Sequence, residues 1–239
     1  MRIFPAIDII DGKCVMLEQG KFDRVSKFSD RPYEMAKKWE SEGASYLHII
    51  DLDGAKKGSG YNNNTIREII KNINIPIQVG GGIRTLSDIK EKFELGVDRV
   101  ILGTVAVNDT EFVKQAVGLY KDKIVVGIDA KDGFAATQAW LDVSGTKALD
   151  LAKKMESLGV KTINFTDISK DGMMKGPNIE STREMVENTN INIIASGGVS
   201  SMDDLENLSK LNVYGAIVGT ALYEKAMDLK TIIEKYEKR

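Results

Sequence analysis

Apolar residues along the chain fall into short runs, separated by longer stretches in which they recur every three or four positions. The runs Arg2–Ile9, Tyr46–Leu52, Ile75–Val79, Arg99–Leu102, Ile124–Ala130, Thr162–Thr166, Ile191–Ala195 and Tyr214–Val218 predict eight buried strands. The stretches Pro32–Glu42, Asn63–Lys71, Leu86–Leu95, Thr110–Tyr120, Thr146–Leu158, Ile179–Glu187, Met202–Lys210 and Leu229–Lys238 predict amphipathic helices, with Pro32, Ser87, Asp109 and Ser201 as opening signals. A strand followed by a helix, repeated eight times, favours a parallel sheet with helical crossovers that closes into a barrel. An open doubly wound sheet would more often carry a G-x-G-x-x-G turn after its first strand, and none stands there. With no proline- or serine-rich linker to divide it, the chain is expected to be one α/β domain over residues 1–239, a (β/α)8 TIM barrel.

The pattern also repeats at about half the chain length. Sliding the sequence by 116 residues lays Asp51–Gly60 and Asn62 over Asp167–Gly176 and Asn178, Arg67-Glu68 over Arg183-Glu184, Gly81-Gly82 over Gly197-Gly198, and Gly103-Thr104 over Gly219-Thr220. Asp8 and Asp129 fall in corresponding first strands with a five-residue drift. The expected barrel is therefore built from two similar half-barrels, each with an aspartate and a glycine pair at matching places.

Composition narrows the function classes. Lys and Arg total 33 against 35 Asp and Glu, a net charge of −2, so no overall field gathers nucleic acid or an anionic membrane. Cys14 and His48 are each the only residue of their type, which excludes an intrachain disulfide and every multi-cysteine or histidine-rich metal site. No run approaches the roughly 18 apolar residues of a membrane span, and Pro5 and Asp8 interrupt what would be the apolar core of a signal peptide. A cytoplasmic location is the expectation.

Barrel chemistry sits at the carboxyl ends of strands. Asp8 and Asp129 both end apolar strands there, and two carboxylates in different surroundings can run opposite proton transfers. Gly80-Gly81-Gly82 with Gly103-Thr104, and Gly197-Gly198 with Gly219-Thr220, also follow strands, where bare backbone N–H groups and helix starts hold oxyanions. Two such cradles across one mouth suit an elongated substrate with a phosphate at each end. Thr166-Asp167 could orient substrate or cap a turn, and His48 could bind substrate or simply be a satisfied structural histidine. Trp140 lies in an excursion over Phe134–Val143 and could stack on a planar heterocycle or pack its own loop, and Gly20, Gly58 and Gly60 suggest flexible loops.

These residues resemble a known family, the phosphoribosylformimino-5-aminoimidazole carboxamide ribotide isomerases of histidine biosynthesis. The likeness spans essentially the whole chain. It is carried by Pro5-Ala6-Ile7-Asp8 with Asp11-Gly12-Lys13, by His48–Ala55, by Val79–Arg84, by Gly127-Ile128-Asp129-Ala130, by Thr166-Asp167-Ile168 with Asp171-Gly172, and by Ala195–Val199. The resemblance implies an Amadori rearrangement of an aminoaldose to an aminoketose, on a small substrate with two phosphates. Asp129 would protonate the ribose ring oxygen and Asp8 would remove the C2′ proton, with no metal or organic cofactor. The chain departs from the family at Met16, where an arginine is frequent, and at Ala139, where a glycine is common. The rival readings are the sister cyclase of imidazole glycerol phosphate synthase, whose first strand typically reads Pro-Cys-Leu-Asp, a phosphoribosylanthranilate isomerase, which would more often have a cysteine at the place of Asp8, and a non-catalytic phosphometabolite-binding barrel. Each half supplies one phosphate site within a single chain, so a monomer is the expected state.

Overall fold

The computed structural model describes the chain apart from residues 19, 20, 59, 138, 139, 141, 238 and 239. Gly20 and Ala139, singled out above, thus lie outside the described residues. In chain order the elements are β1 (Arg2–Ile10), β2 (Lys13–Glu18), β3 (Lys21–Ser29), α1 (Pro32–Ser41), β4 (Leu47–Asp51), α2 (Leu52–Lys57), α3 (Asn63–Asn72), β5 (Ile77–Gly80), α4 (Leu86–Leu95), β6 (Arg99–Leu102), α5 (Thr104–Asn108) and α6 (Thr110–Tyr120). They continue with β7 (Ile124–Lys131), β8 (Phe134–Thr137), β9 (Asp142–Lys147), α7 (Ala148–Ser157), β10 (Thr162–Asp167), α8 (Ile179–Asn188), β11 (Asn192–Ser196), α9 (Met202–Lys210), β12 (Gly215–Val218), α10 (Thr220–Tyr223) and α11 (Leu229–Tyr236).

Strands β1, β4, β5, β6, β7, β10, β11 and β12 pair in that order, all in parallel, and β12 returns to β1 to close an eight-stranded barrel. Each predicted strand is one of these. Their burial on both faces explains why they read as continuous apolar runs. Alternation then sends successive side chains to two concentric cores. In β1, Ile3, Ile7 and Ile9 join the large shell between strands and helices, whereas Phe4 and Ala6 join a small inner cluster with Tyr46, Ile194 and Ile217. The floor of the barrel is closed by rings and a cation: the Arg99 guanidinium lies 4.4 Å from the centre of the Tyr46 ring and 5.8 Å from that of Phe4. The interior therefore opens at the carboxyl ends of the strands.

Two hairpins stand over that opening. The segment after β1 folds back as the antiparallel pair β2 and β3, and the excursion after β7 forms β8 and β9. Phe134 of β8 pairs with Lys147 of β9, and this corrects the expected helix start at Thr146: both Thr146 and Lys147 are held in the hairpin, so α7 begins at Ala148. The short helices α2, α5 and α10 had no counterpart among the predicted elements. Among the described residues no helix is long and apolar enough to cross a membrane.

Candidate active site

The mouth of the barrel holds a cavity of about 760 Å³. Its wall brings together Asp8, Asp129, Thr166, His48 and Trp140 with the glycine loops Gly81-Gly82, Gly103-Thr104, Gly197-Gly198 and Gly219-Thr220, whereas Asp167, Gly58, Gly60 and Gly80 do not reach it. Strand register sets the relative heights. Asp8 in β1 lies level with Ile50 of β4, and Asp129 in β7 lies level with Thr166 of β10. A parallel strand carries every second side chain inward, so Thr166 faces the cavity while its neighbour Asp167 turns to the loop. There Asp167 accepts hydrogen bonds from Ser169 N at 2.9 Å and Asn178 Nδ2 at 2.5 Å, the turn-capping outcome. Asp51, 116 residues earlier, is tied in the same manner to Gly54 N at 2.8 Å and to Asn62 Nδ2 at 2.6 Å.

A third carboxylate joins the pair. Asp171, in the loop after β10, lines the cavity with Asp8 and Asp129. Burial pushes the Asp8 carboxyl up to about 8, and the negative charge of Asp171 adds to the rise. Asp171 is itself pushed up to about 7, first by burial and then by Asp129. Asp129 is raised by burial too, but Trp140 and Thr166 hydrogen bond to it and pull the other way. The Trp140 indole N–H donates to Asp129 Oδ2 at 2.7 Å from a backbone with φ of +72°, a conformation that bulky side chains rarely adopt. Asp171 escaped the sequence reading because it stands four residues beyond the end of β10, where only the fold of the loop decides what it faces. Its one signal was the Asp171-Gly172 pair.

The glycine loops divide into two kinds. Gly81 and Gly82 have φ of +110° and +75°, and a Cβ there would lie 2.1 Å from Asp51 O and 2.0 Å from Gly54 O. Gly197 meets the corresponding carbonyl, its Cβ position lying 2.9 Å from Asp167 O, and Gly198 meets the backbone of the same loop further on, 2.5 Å from Gly176 O. These four glycines let loop pass against loop. Gly103 and Gly219, by contrast, open α5 and α10 with φ of −98° and −110°. A Cβ at Gly103 would meet nothing within 4 Å, and one at Gly219 only ordinary contacts, with the Met16 side chain from 3.4 Å and Ala6 Cβ at 3.7 Å. Their missing side chains leave room in the cavity, beside Thr104 and Thr220, where backbone N–H groups of a helix start can hold an anion.

Lys56 and Arg84 are the lysine and the arginine that line the cavity among the described residues, both on the Gly81–Gly82 side. Nζ of Lys56 lies 3.9 Å from the centre of the Phe22 ring, and Nη2 of Arg84 donates to Ala55 O at 3.3 Å. The opposite side, with Ser196, Gly197, Gly198, Gly219 and Thr220, offers only neutral donors. Met16 stands in the β2 wall of that side, against Gly219. His48 lies deeper, 8% exposed, below the level of Asp8.

The chain is similar to three curated proteins, each called 1-(5-phosphoribosyl)-5-((5-phosphoribosylamino)methylideneamino)imidazole-4-carboxamide isomerase. The protein of Lachnoclostridium phytofermentans is 54% identical over 99% of this chain and 100% of its own length. That of Acetivibrio thermocellus is 53% identical over 98% of this chain and 99% of its own, and that of Bacillus anthracis 52% identical over 98% of each. A family model described as histidine biosynthesis protein matches residues 2–228. With nearly the whole barrel covered by that match, the chain belongs to the histidine biosynthesis protein family.

Proposed function

We propose that this barrel isomerises the aminoaldose ribotide named in its relatives, 1-(5-phosphoribosyl)-5-((5-phosphoribosylamino)methylideneamino)imidazole-4-carboxamide, to the corresponding aminoketose. The observation that carries the reading is the meeting of half-buried Asp8 and Asp129 in one cavity whose rim has a glycine cradle on each side. A cavity of about 760 Å³ is in the range that encloses a small metabolite. The two cradles take one phosphate each, and the sugar between them lies over the carboxylates. On this view the barrel is a single domain of two similar half-barrels, each bringing one aspartate and one pair of anion-binding loops.

The chemistry follows from the carboxylates. Asp129, protonated, gives its proton to the ribose ring oxygen; the C1′–O4′ bond breaks and the glycosylamine nitrogen forms a protonated Schiff base. Asp8, ionised, then takes the proton from C2′, and the electrons of that C–H bond move into C1′–C2′ while the C=N electrons return to nitrogen. The enolamine ketonises to the aminoketose. Without substrate the neighbours of each carboxyl favour the opposite protonation: the negative charge of Asp171 pushes Asp8 up, whereas the hydrogen bond from Trp140 pulls Asp129 down. Substrate corrects both. Its planar heterocycle draws the Trp140 indole off Asp129, which removes a hydrogen bond that favours the carboxylate, and the cationic Schiff base pulls the Asp8 carboxyl down.

The test is to supply the aminoaldose ribotide and follow the imidazole chromophore with and without a coupled glutaminase-cyclase. The wild type is expected to form the ketose, and Asp8→Asn and Asp129→Asn each to lose at least about 10³-fold in kcat. Full activity in either variant removes the role assigned to that aspartate. Consumption of the ketose by this chain and ammonia, without added cyclase, would favour the cyclase reading instead.

A further inference from the structure

Beneath the carboxylates the barrel holds a second polar pair that the mechanism above leaves unused. His48 of β4 and Gln78 of β5 are register partners in adjacent strands, and Gln78 Nε2 lies 2.9 Å from His48 Nδ1. An amide nitrogen only donates, so Nδ1 accepts and the ring proton resides on Nε2. The reverse amide orientation would bury the two-hydrogen nitrogen of Gln78 without a partner. In the orientation present, the atom without a hydrogen-bond partner among the described residues is the carbonyl oxygen Oε1, the less costly of the two to orphan. Gln78 is fully buried, while the His48 ring forms part of the cavity wall beside Ala6, two residues below Asp8. Burial pulls the His48 imidazole down to about 3, so it is neutral at neutral pH.

We propose that Gln78 is a positioning residue: its amide fixes His48 as the Nε2–H tautomer, and His48 donates that hydrogen bond to the oxygen on C2′ of the sugar being isomerised. The second half of this rests on the isomerase reading above. As Asp8 removes the C2′ proton, the oxygen on C2′ passes from a hydroxyl to an enol oxygen and finally to a carbonyl oxygen. A fixed donor aimed there stabilises the electron-rich enolamine, and a neutral imidazole keeps its own proton throughout, so the step moves no further atom. Without Gln78 the imidazole would divide its time between two tautomers, and one of them turns a bare nitrogen on that oxygen.

His48 is the only histidine in the chain, so protein labelled with ¹⁵N-histidine reports one imidazole. The wild type at neutral pH is expected to show a protonated Nε2 and a bare Nδ1. A protonated Nδ1, a charged ring or averaging between tautomers overturns the proposal. Gln78→Leu, close in size and apolar, is expected to let the ring average between tautomers and to lower kcat about tenfold with KM within about twofold. Gln78→Glu presents an acceptor to the ring, so Nδ1 becomes protonated and kcat falls further. A changed tautomer with unchanged kcat would overturn the electrophilic role of His48. The ring signals need no substrate, so a wild type that fails to turn over the ribotide removes the isomerase reading, and the oxygen assigned to His48 with it, while the tautomer is read independently.

Discussion

At the scale of single residues, the site is three half-buried carboxyl groups, each raised above the usual carboxylate range. Asp8 is raised to about 8 and Asp171 to about 7, both chiefly by burial. The base of the reaction must be ionised, so kcat/KM, which reports the free protein, is expected to climb with pH up to about 8 and to fall about tenfold per unit below that. The limb belongs to the cluster rather than to Asp8 alone, because Asp171 raises Asp8 and is itself raised by Asp129. Asp171→Asn removes the negative charge nearest in effect to Asp8, so the limb should move to lower pH whatever happens to the plateau. A pH profile of kcat/KM for the variant decides it, and an unmoved limb would mean that Asp171 does not act on Asp8. The same burial has a stability sign. The native state of Asp8 holds its proton from the ordinary 3.8 up to about 8 while the unfolded chain has lost it, so the native state is progressively disfavoured over that interval. Asp8→Asn should therefore raise Tm by several degrees at pH 8 and hardly at all near pH 4.

At the scale of elements, the loops after the strands are built by glycines and caps. Helices α4 and α9 each open on a capping box, Thr85 with Asp88 and Ser201 with Asp204, and each directly follows a glycine pair. The two glycine classes should separate experimentally. Gly81→Ala forces a Cβ to 2.1 Å from the Asp51 carbonyl oxygen at a φ of +110° and has no flexible neighbour to displace. It is expected to cost at least about 3 kcal/mol, seen as a fall in Tm of roughly 5–10 °C. Gly103→Ala meets open space, so Tm should hold within about 2 °C, while KM rises about tenfold as the methyl group occupies room meant for the ligand. Thermal melts beside steady-state kinetics separate the two, and a stable Gly81→Ala would refute the packing argument. Much of this scale was legible in the sequence, because buried strands and amphipathic helices impose periods of two and 3.6. The β2–β3 hairpin was not. The run Cys14–Leu17 in Lys13–Glu18 is apolar but only four residues long, Lys21–Ser29 carries many polar residues, and the register between the two strands shifts twice, so no clean alternation marks them. Nor were α2, α5 and α10, which at four to six residues are too short to display a helical period.

For the whole molecule, a net charge of −2 gives no long-range attraction for the doubly anionic ligand proposed above, so on that proposal capture falls to the charges at the mouth. Those are distributed unevenly: Lys56 and Arg84 flank one cradle, and neutral donors with the apolar Met16 flank the other. The repeat in the sequence makes the two glycine cradles alike, but it says nothing of this difference, because Lys56 and Arg84 stand opposite Gly172 and Ser200 at the 116-residue offset. The unevenness bears on orientation. A substrate with a phosphate at each end could enter a symmetric mouth either way round, yet only one way places C2′ over Asp8. The cradle with two cations is expected to hold one particular phosphate, chiefly through Coulombic attraction that salt screens within about 10 Å at 0.1 M. Lys56→Ala and Arg84→Ala should each raise KM about tenfold with kcat nearly unchanged, and each should flatten the rise of KM with salt, because the charges lie away from the reacting carbon. Of two substrate analogues that each lack one phosphate, only one should become indifferent to these substitutions, and that one identifies the end held by the cations. If both analogues respond equally, the cations attract the ligand without orienting it, and the neutral cradle must do the sorting by shape.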